Sequence, residues 1–375
     1  MIPQATHGGI IHTLAREQGQ KINRLIDFSA SINPLGLSPQ VRRAIQQTIS
    51  QTVHYPDVDG QPLRTQLARI HRLSEDCLVI GNGSAELISV LPRALGSRHG
   101  LVIGPTFMEF ERALTLAGAQ CSYVHAKRDE NYQYPIARVC KFLKQTQSRL
   151  KKKSIDGMYP IDTVFLCHPN SPTGQVLAKK QLHELLELVQ KVGARLIVDE
   201  AFIDYCSSHS VLKHIGRIDG LIVLRSFTKF YAIPGLRIGY LGGPADVVEK
   251  IRSLLPPWSV NILASAAAVA ALQDTIYRKQ SLQFMTVERK RFRALLNQLP
   301  GLRLFPASAN FLLVEIQAGV EVEQLTQALR RQGLLIRDCQ NFAGIENPTI
   351  RLAVRCPNEN DRLVKALKRE LAQCQ

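Results

Sequence analysis

Four short runs of leucine, isoleucine and valine in the middle of the chain constrain its fold more than any other feature. They are "TVFLC" (163–167), "RLIVD" (195–199), "LIVLRS" (221–226) and "LRIGYLG" (236–242). Each is apolar almost throughout instead of alternating, the pattern of a strand buried on both faces. Between the first two lies "LAKKQLHELLELVQKVG", apolar at helical spacing and stopped by Gly193. Strand, helix and strand in succession predict a largely parallel sheet with helices on both faces.

The same texture starts earlier. "DCLVIGNGSAELISVLPRAL" reads as a strand or turn followed by a helix from about Ser84, and "GLVIGPTFMEFERALTLAG" (100–118) repeats it. After about residue 262 the pattern changes to one long helical stretch (261–299). Strands in "LRLFPASANFLLVEI", "GLLIRDC" and "TIRLAVR" follow, with a helix near 321–332 and a terminal helix over 358–373. The expected fold class is therefore α/β, with a large domain over 51–262 and a smaller α+β domain over 263–375. The segment 1–50 is expected to pack with the small domain.

Hydrophobic residues make up 45% and charged residues 21% of 375, ordinary globular usage that supports a sizeable core. No apolar run reaches the roughly 18–20 residues of a membrane span, and the first 20 residues lack the pattern of a signal peptide. A soluble cytoplasmic protein with no membrane partner is expected. The eight cysteines form no Cys-x-x-Cys pair, so reduced thiols and no metal site are expected. The net charge of +16 is densest in "KFLKQTQSRLKKKS" (141–154). With one aromatic residue and no accompanying nucleic-acid-binding motif, this segment reads as a solvated helix end and loop, and no nucleic-acid partner is expected.

In an open parallel sheet, ligands bind beyond the carboxyl ends of the strands. The residues at and just past each strand end are therefore the candidates for a site: Asn170 after "TVFLC", Asp199 at the end of "RLIVD", and Ser226, Thr228 and Lys229 after "LIVLR". "GNGSAE" (81–86) is a glycine-bearing turn into a helix N-terminus, suited to an anion. Lys229 stands in "SFTKFYAIPGLRIGY", whose only other charge is Arg237. An ammonium in such surroundings must find a partner or release its proton, and the neutral amine is a nucleophile toward carbonyl carbon. An amine, a buried carboxylate, hydroxyls and a phosphate cradle together meet the needs of pyridoxal phosphate.

"SFTKFYAIPGLRIGY", "HPNSPTG" and "VDEAFIDY" resemble, in order and spacing, the signature segments of the fold-type-I pyridoxal-phosphate enzymes of the aspartate aminotransferase superfamily, over nearly the whole chain. The resemblance implies that Lys229 carries the cofactor, that Asp199 partners its ring nitrogen, and that Asn170 donates to its phenolic oxygen. Ser226, Thr228 and Arg237 would bind its phosphate with Ser84 and Ala85, and Phe107 would stack on its ring. Tyr55, in "HYPD", resembles the tyrosine that reaches the neighbouring subunit's cofactor phosphate, which implies a homodimer with shared active sites.

For the substrate, the resemblance points to Arg355 as the carboxylate clamp and Arg337 as a second anion clamp, with Asn33 and His7 as further contacts. Two subgroups share this pattern, the histidinol-phosphate aminotransferases and the threonine-phosphate decarboxylases, both acting on small phosphorylated substrates. "HGG" (7–9) ahead of "DFSASINPLG" (27–36), "TKFYAIPGLRIGYL" and "PPWSVNILA" (256–264) look more like the decarboxylases. So does Phe202, where the aminotransferases usually carry a tyrosine. Ser31 departs from the asparagine often found there. Decarboxylation of L-threonine O-3-phosphate is the reaction implied; amino transfer involving histidinol phosphate is the alternative, and a cofactor-binding regulator contacting nucleic acid through 141–154 is a third reading.

Overall fold

The computed structural model describes residues 7–152, 159–317 and 319–372. Its larger sheet has seven strands: β1 (Leu78–Gly81), β2 (His99–Gly104), β3 (Gln120–His125), β4 (Thr163–Cys167), β5 (Arg195–Asp199), β6 (Leu221–Ser226) and β7 (Gly239–Gly242). Their order is β1-β7-β6-β5-β4-β2-β3. All run parallel except β7, which is antiparallel to both neighbours. The reason lies in the connection. Residues 227–238 contain no crossover helix, so the chain turns straight back from β6, whereas a parallel return needs a dozen or more residues and usually a helix. This loop carries Lys229 and Arg237.

The continuous apolar runs are explained by burial on two sides. Val164, Leu166, Leu196 and Val198 face one core and Phe165, Ile197, Ile222 and Leu224 the other. At about 1.5–3 kcal/mol for each buried side chain of this size, these positions hold the sheet between its helix layers. Among the connecting helices, Ser84–Leu95 follows β1 and Lys179–Val192 joins β4 to β5, ending at Gly193 with φ 72°.

The second lobe is a four-stranded antiparallel sheet of β8 (Leu302–Leu304), β9 (Phe311–Ile316), β10 (Arg337–Asp338) and β11 (Thr349–Ala353), in the order β10-β11-β9-β8. The helices Thr275–Asn297, Val322–Arg331 and Pro357–Ala372 complete its core. The expected single helix over 261–299 is two. Ile262–Gln273 stops at Asp274, whose carboxylate accepts from the Tyr277 N–H at 2.9 Å and caps the second helix. The segment 1–50 is divided between the lobes. Ile26–Asp27 pairs in parallel with Leu334–Leu335, whereas Val41, on the helix Pro39–Thr48, joins the larger core. The basic stretch 141–154 lies on the helix Ile136–Lys152, and its last two residues fall outside the described ones. No helix among the described residues is long and apolar enough to cross a membrane.

Candidate active site

A cavity of about 410 Å³ opens beyond the carboxyl ends of β4, β5 and β6, with walls from both lobes. Asp199, buried, and Lys229, half-buried, sit in it. Burial pulls the Lys229 ammonium down to about 8, helped by the positive charges of Arg351 and Arg237 and opposed by Asp199. Burial pushes the Asp199 carboxyl up to about 6, although the Ala201 N–H donates to it at 3.0 Å and Lys229 attracts it. A cationic ring nitrogen beside Asp199 would hold it ionised by the same electrostatics.

Ser84, Ala85, Ser226, Thr228 and Arg237 line one end of the cavity. The first helical turn from Ser84 presents backbone N–H groups there, and the Ser226 and Thr228 hydroxyls lie 2.7 Å apart. The approach is close enough to exclude side chains. A Cβ on Gly239 would lie 2.6 Å from the Ser84 nitrogen and 2.8 Å from the Arg225 carbonyl oxygen, both backbone atoms. Gly239→Ala is therefore expected to cost about 1–3 kcal/mol of stability, read as a lower denaturant midpoint.

Phe107 and His7 also line the cavity, their rings 5.6 Å apart. Nε2 of His7 lies 2.9 Å from Oε1 of Glu109, a wall residue that also accepts from Arg112 at 3.1 Å. Arg337 enters from the small lobe, donating to Asn341 at 2.9 Å and lying over the Phe342 ring.

Three positions expected at this cavity lie elsewhere, and Tyr55, expected at the neighbouring subunit's cofactor, lies outside it. Arg355 is past the end of β11, where its guanidinium donates to Glu359 at 3.0 Å in the first turn of the last helix. It does not line the cavity; Arg351 does. Arg351 pairs directly with Arg337 across β10 and β11, so both project from one face of the small sheet. Its side chain is buried and donates to Ser171 Oγ at 2.8 Å and to the Ser29 carbonyl at 2.9 Å. Asn33 is likewise no wall residue. Its N–H donates to the Lys229 carbonyl at 3.0 Å and its Nδ2 to the Phe230 carbonyl at 2.8 Å, which fixes the lysine loop from behind. Asn170 is buried at the end of the β4 turn, with Nδ2 donating to the Pro105 carbonyl and Thr173 Oγ1 and not into the cavity. Tyr55 is 79% exposed and packs against Trp258, ring centroids 4.8 Å apart, away from this chain's cavity.

Sequence reasoning missed Arg351, Ser29 and Ser171. The two arginines of "TIRLAVR" share strand parity, and only the register with β10 separates them. Ser31 lines the cavity, and its buried hydroxyl has no partner among the described residues.

This donor set fits pyridoxal 5'-phosphate. Lys229 suits the aldehyde, Asp199 the ring nitrogen, and the glycine-walled turn at Ser84 with Ser226, Thr228 and Arg237 the phosphate.

The comparisons with known proteins agree. Residues 23–367 match the family described as Aminotransferase class I and II. The chain is 34% identical over 369 residues to the threonine-phosphate decarboxylase of Salmonella typhimurium, covering 98% of this chain and 97% of that protein. It is 32% identical over 366 residues to a histidinol-phosphate aminotransferase of Roseiflexus castenholzii, covering 96% and 93%. Among solved structures, the histidinol-phosphate aminotransferase from Clostridium acetobutylicum superposes with a TM-score of 0.83 at 29% identity, covering 93% of this chain and 100% of that one. Fold, lysine loop and relatives converge: the chain belongs to the class I and II aminotransferase family and is a pyridoxal 5'-phosphate-dependent enzyme.

Proposed function

We propose that the enzyme decarboxylates L-threonine O-3-phosphate to (R)-1-amino-2-propanol O-2-phosphate, a step of cobalamin biosynthesis. The observation that carries this reading is the cross-strand pair Arg337 and Arg351 facing Lys229 in one cavity, two cationic forks for a substrate with two anionic ends. Phe202, which packs edge-on against Phe311 at 5.0 Å, leaves the wall without a hydroxyl where the aminotransferases usually carry one. The similarity to the Salmonella decarboxylase over almost the whole chain supports the same choice.

Bound pyridoxal 5'-phosphate supplies an electron sink for the pair released at the substrate α-carbon. The chain supplies the rest. Asp199 keeps the ring nitrogen protonated, and the turn at Ser84 with Ser226, Thr228 and Arg237 anchors the phosphate. Arg351 grips the substrate carboxylate and Arg337 its phosphate, with His7 at the rim. Lys229 would hold the cofactor until the substrate amine takes its place, and its ammonium form, or water, would return a proton to the α-carbon.

We assign the working unit as a cytoplasmic homodimer. Tyr55, Val53 and Val58 are 79%, 80% and 63% exposed, an apolar patch that a second copy would cover, and Tyr55 would then reach the partner's cofactor phosphate. The reading with histidinol phosphate and 2-oxoglutarate as substrates is favoured by the 0.83 superposition on the Clostridium aminotransferase.

The deciding experiment mixes purified holoenzyme with L-threonine O-3-phosphate and no oxo acid. Carbon dioxide release over many turnovers is expected. No release, with glutamate formed from histidinol phosphate and 2-oxoglutarate, would replace the decarboxylase by the aminotransferase.

A further inference from the structure

A second cavity, of about 520 Å³, lies on the other side of β6. Ser226 borders both cavities, and Arg225, whose side chain alternates to the opposite face of the strand, lines only this one, so the two lie back to back. Arg225 is 7% exposed. It is held from behind by Glu200 at 2.8 Å, and within the wall by Ser210 at 3.0 Å and, more loosely, by Asp204 at 3.5 Å.

The walls are rich in cations and hydroxyls. Arg278 and Lys213 join Arg225, with Ser207 and Ser208 between them; the Ser210 hydroxyl is taken up, donating to Glu200 at 2.8 Å and accepting from Arg225 at 3.0 Å, and Asp204 is the only carboxylate that the described residues add to the lining. Arg278, half-buried at the start of the helix Thr275–Asn297, has no carboxylate within ion-pair distance among the described residues. The imidazole of His71, also in the wall, lies 2.8 Å from the Tyr240 hydroxyl and is held down to about 4 by burial and by the charges of Arg225 and Arg278. It stays neutral there and contributes no competing charge at neutral pH. Ile70, Leu212, Phe227 and Leu272 give the wall an apolar side, with Tyr231 and Thr275 also in the lining. Guanidinium, ammonium and clustered hydroxyls match the geometry and charge of a phosphoryl group, and the apolar side offers room for a small organic remainder.

We propose that this cavity binds the phosphoryl group of a small phosphate monoester, held by Arg278, Lys213 and the Ser207 and Ser208 hydroxyls, at a site separate from the active site.

The test is calorimetric titration of the holoenzyme with glycerol 3-phosphate and, separately, with inorganic phosphate. It is run on wild type, Arg278→Ala, Lys213→Ala and Arg337→Ala. Glycerol 3-phosphate is expected to bind a class of site that Arg337→Ala retains and that Arg278→Ala weakens at least tenfold, with a smaller loss in Lys213→Ala. Tighter binding of the ester than of inorganic phosphate supports the monoester; equal binding would overturn the organic remainder and leave a free-anion site. Lys213 is exposed, so its variant keeps the test valid if Arg278→Ala fails to fold. Loss of all binding in Arg337→Ala, or binding unchanged in both Arg278→Ala and Lys213→Ala, would overturn the proposal. Neither result bears on the decarboxylation assay, which reads the other cavity.

Discussion

Lys229→Ala is expected to lower kcat/KM by roughly 10⁴-fold or more and to leave the protein unable to hold its cofactor covalently. The fold should survive, because the side chain makes no hydrogen bond that the sheet needs, and unfolding midpoints of the two cofactor-stripped proteins would check this. The same lysine sets a pH dependence in the wild type. Its ammonium is brought down to about 8 by burial and by Arg351 and Arg237. At pH 6 only about 1% of the amine is neutral, so attachment of the cofactor to stripped enzyme should slow about tenfold per pH unit below 8 and level off above it. Sodium borohydride trapping followed by mass measurement reads this directly. A flat profile between pH 6 and 8 would mean that the amine is already neutral at pH 6 and that the burial argument fails. For stability, the folded chain binds fewer protons at Lys229 than the unfolded chain between about 8 and the ordinary lysine value of 10.5, so this residue makes the stripped protein gain stability as pH rises through that window.

The legible part of the fold and the site is the part whose signals are local. The strands of the large sheet are continuous apolar runs because both faces are covered, and Asp199, Ser226 and Lys229 are found from where those runs stop. Gly193 and the turn at Gly83 mark helix boundaries through backbone conformations that favour glycine. The hidden part depends on pairing across the chain. The reversal of β7 depends on a connection without a crossover helix, and the residues of "LRIGYLG" say nothing about direction. The break at Asp274 is signalled by a capping aspartate but masked by helical periodicity on both sides. From sequence, Asn33 reads as a substrate contact because it is polar beside a signature segment. Its actual partners, the backbone at Lys229 and Phe230 and the Ser281 hydroxyl, lie about 200 residues or more away in sequence.

The small-lobe arginines give the second large effect, and they separate the structural assignment from the sequence-based one. Arg351→Ala is expected to lower kcat/KM by about 10²–10⁴-fold, because removing one partner of a buried charged contact costs roughly 3–5 kcal/mol. Arg351→Lys keeps the charge but loses the planar fork, so it should recover only part of that loss, mainly through a lower KM than the alanine variant. Arg355→Ala should change kcat/KM by less than about threefold. Its guanidinium meets Glu359 in a partly exposed pair, and such pairs contribute about 0–1 kcal/mol. The two positions are four residues apart on the same side of the chain, yet only Arg351 lies within β11, opposite Arg337, where the strand holds it against the cavity. Were Arg355→Ala to cripple the enzyme while Arg351→Ala spared it, the strand register would be wrong at its end, and the carboxylate clamp would return to the position the sequence alone suggested.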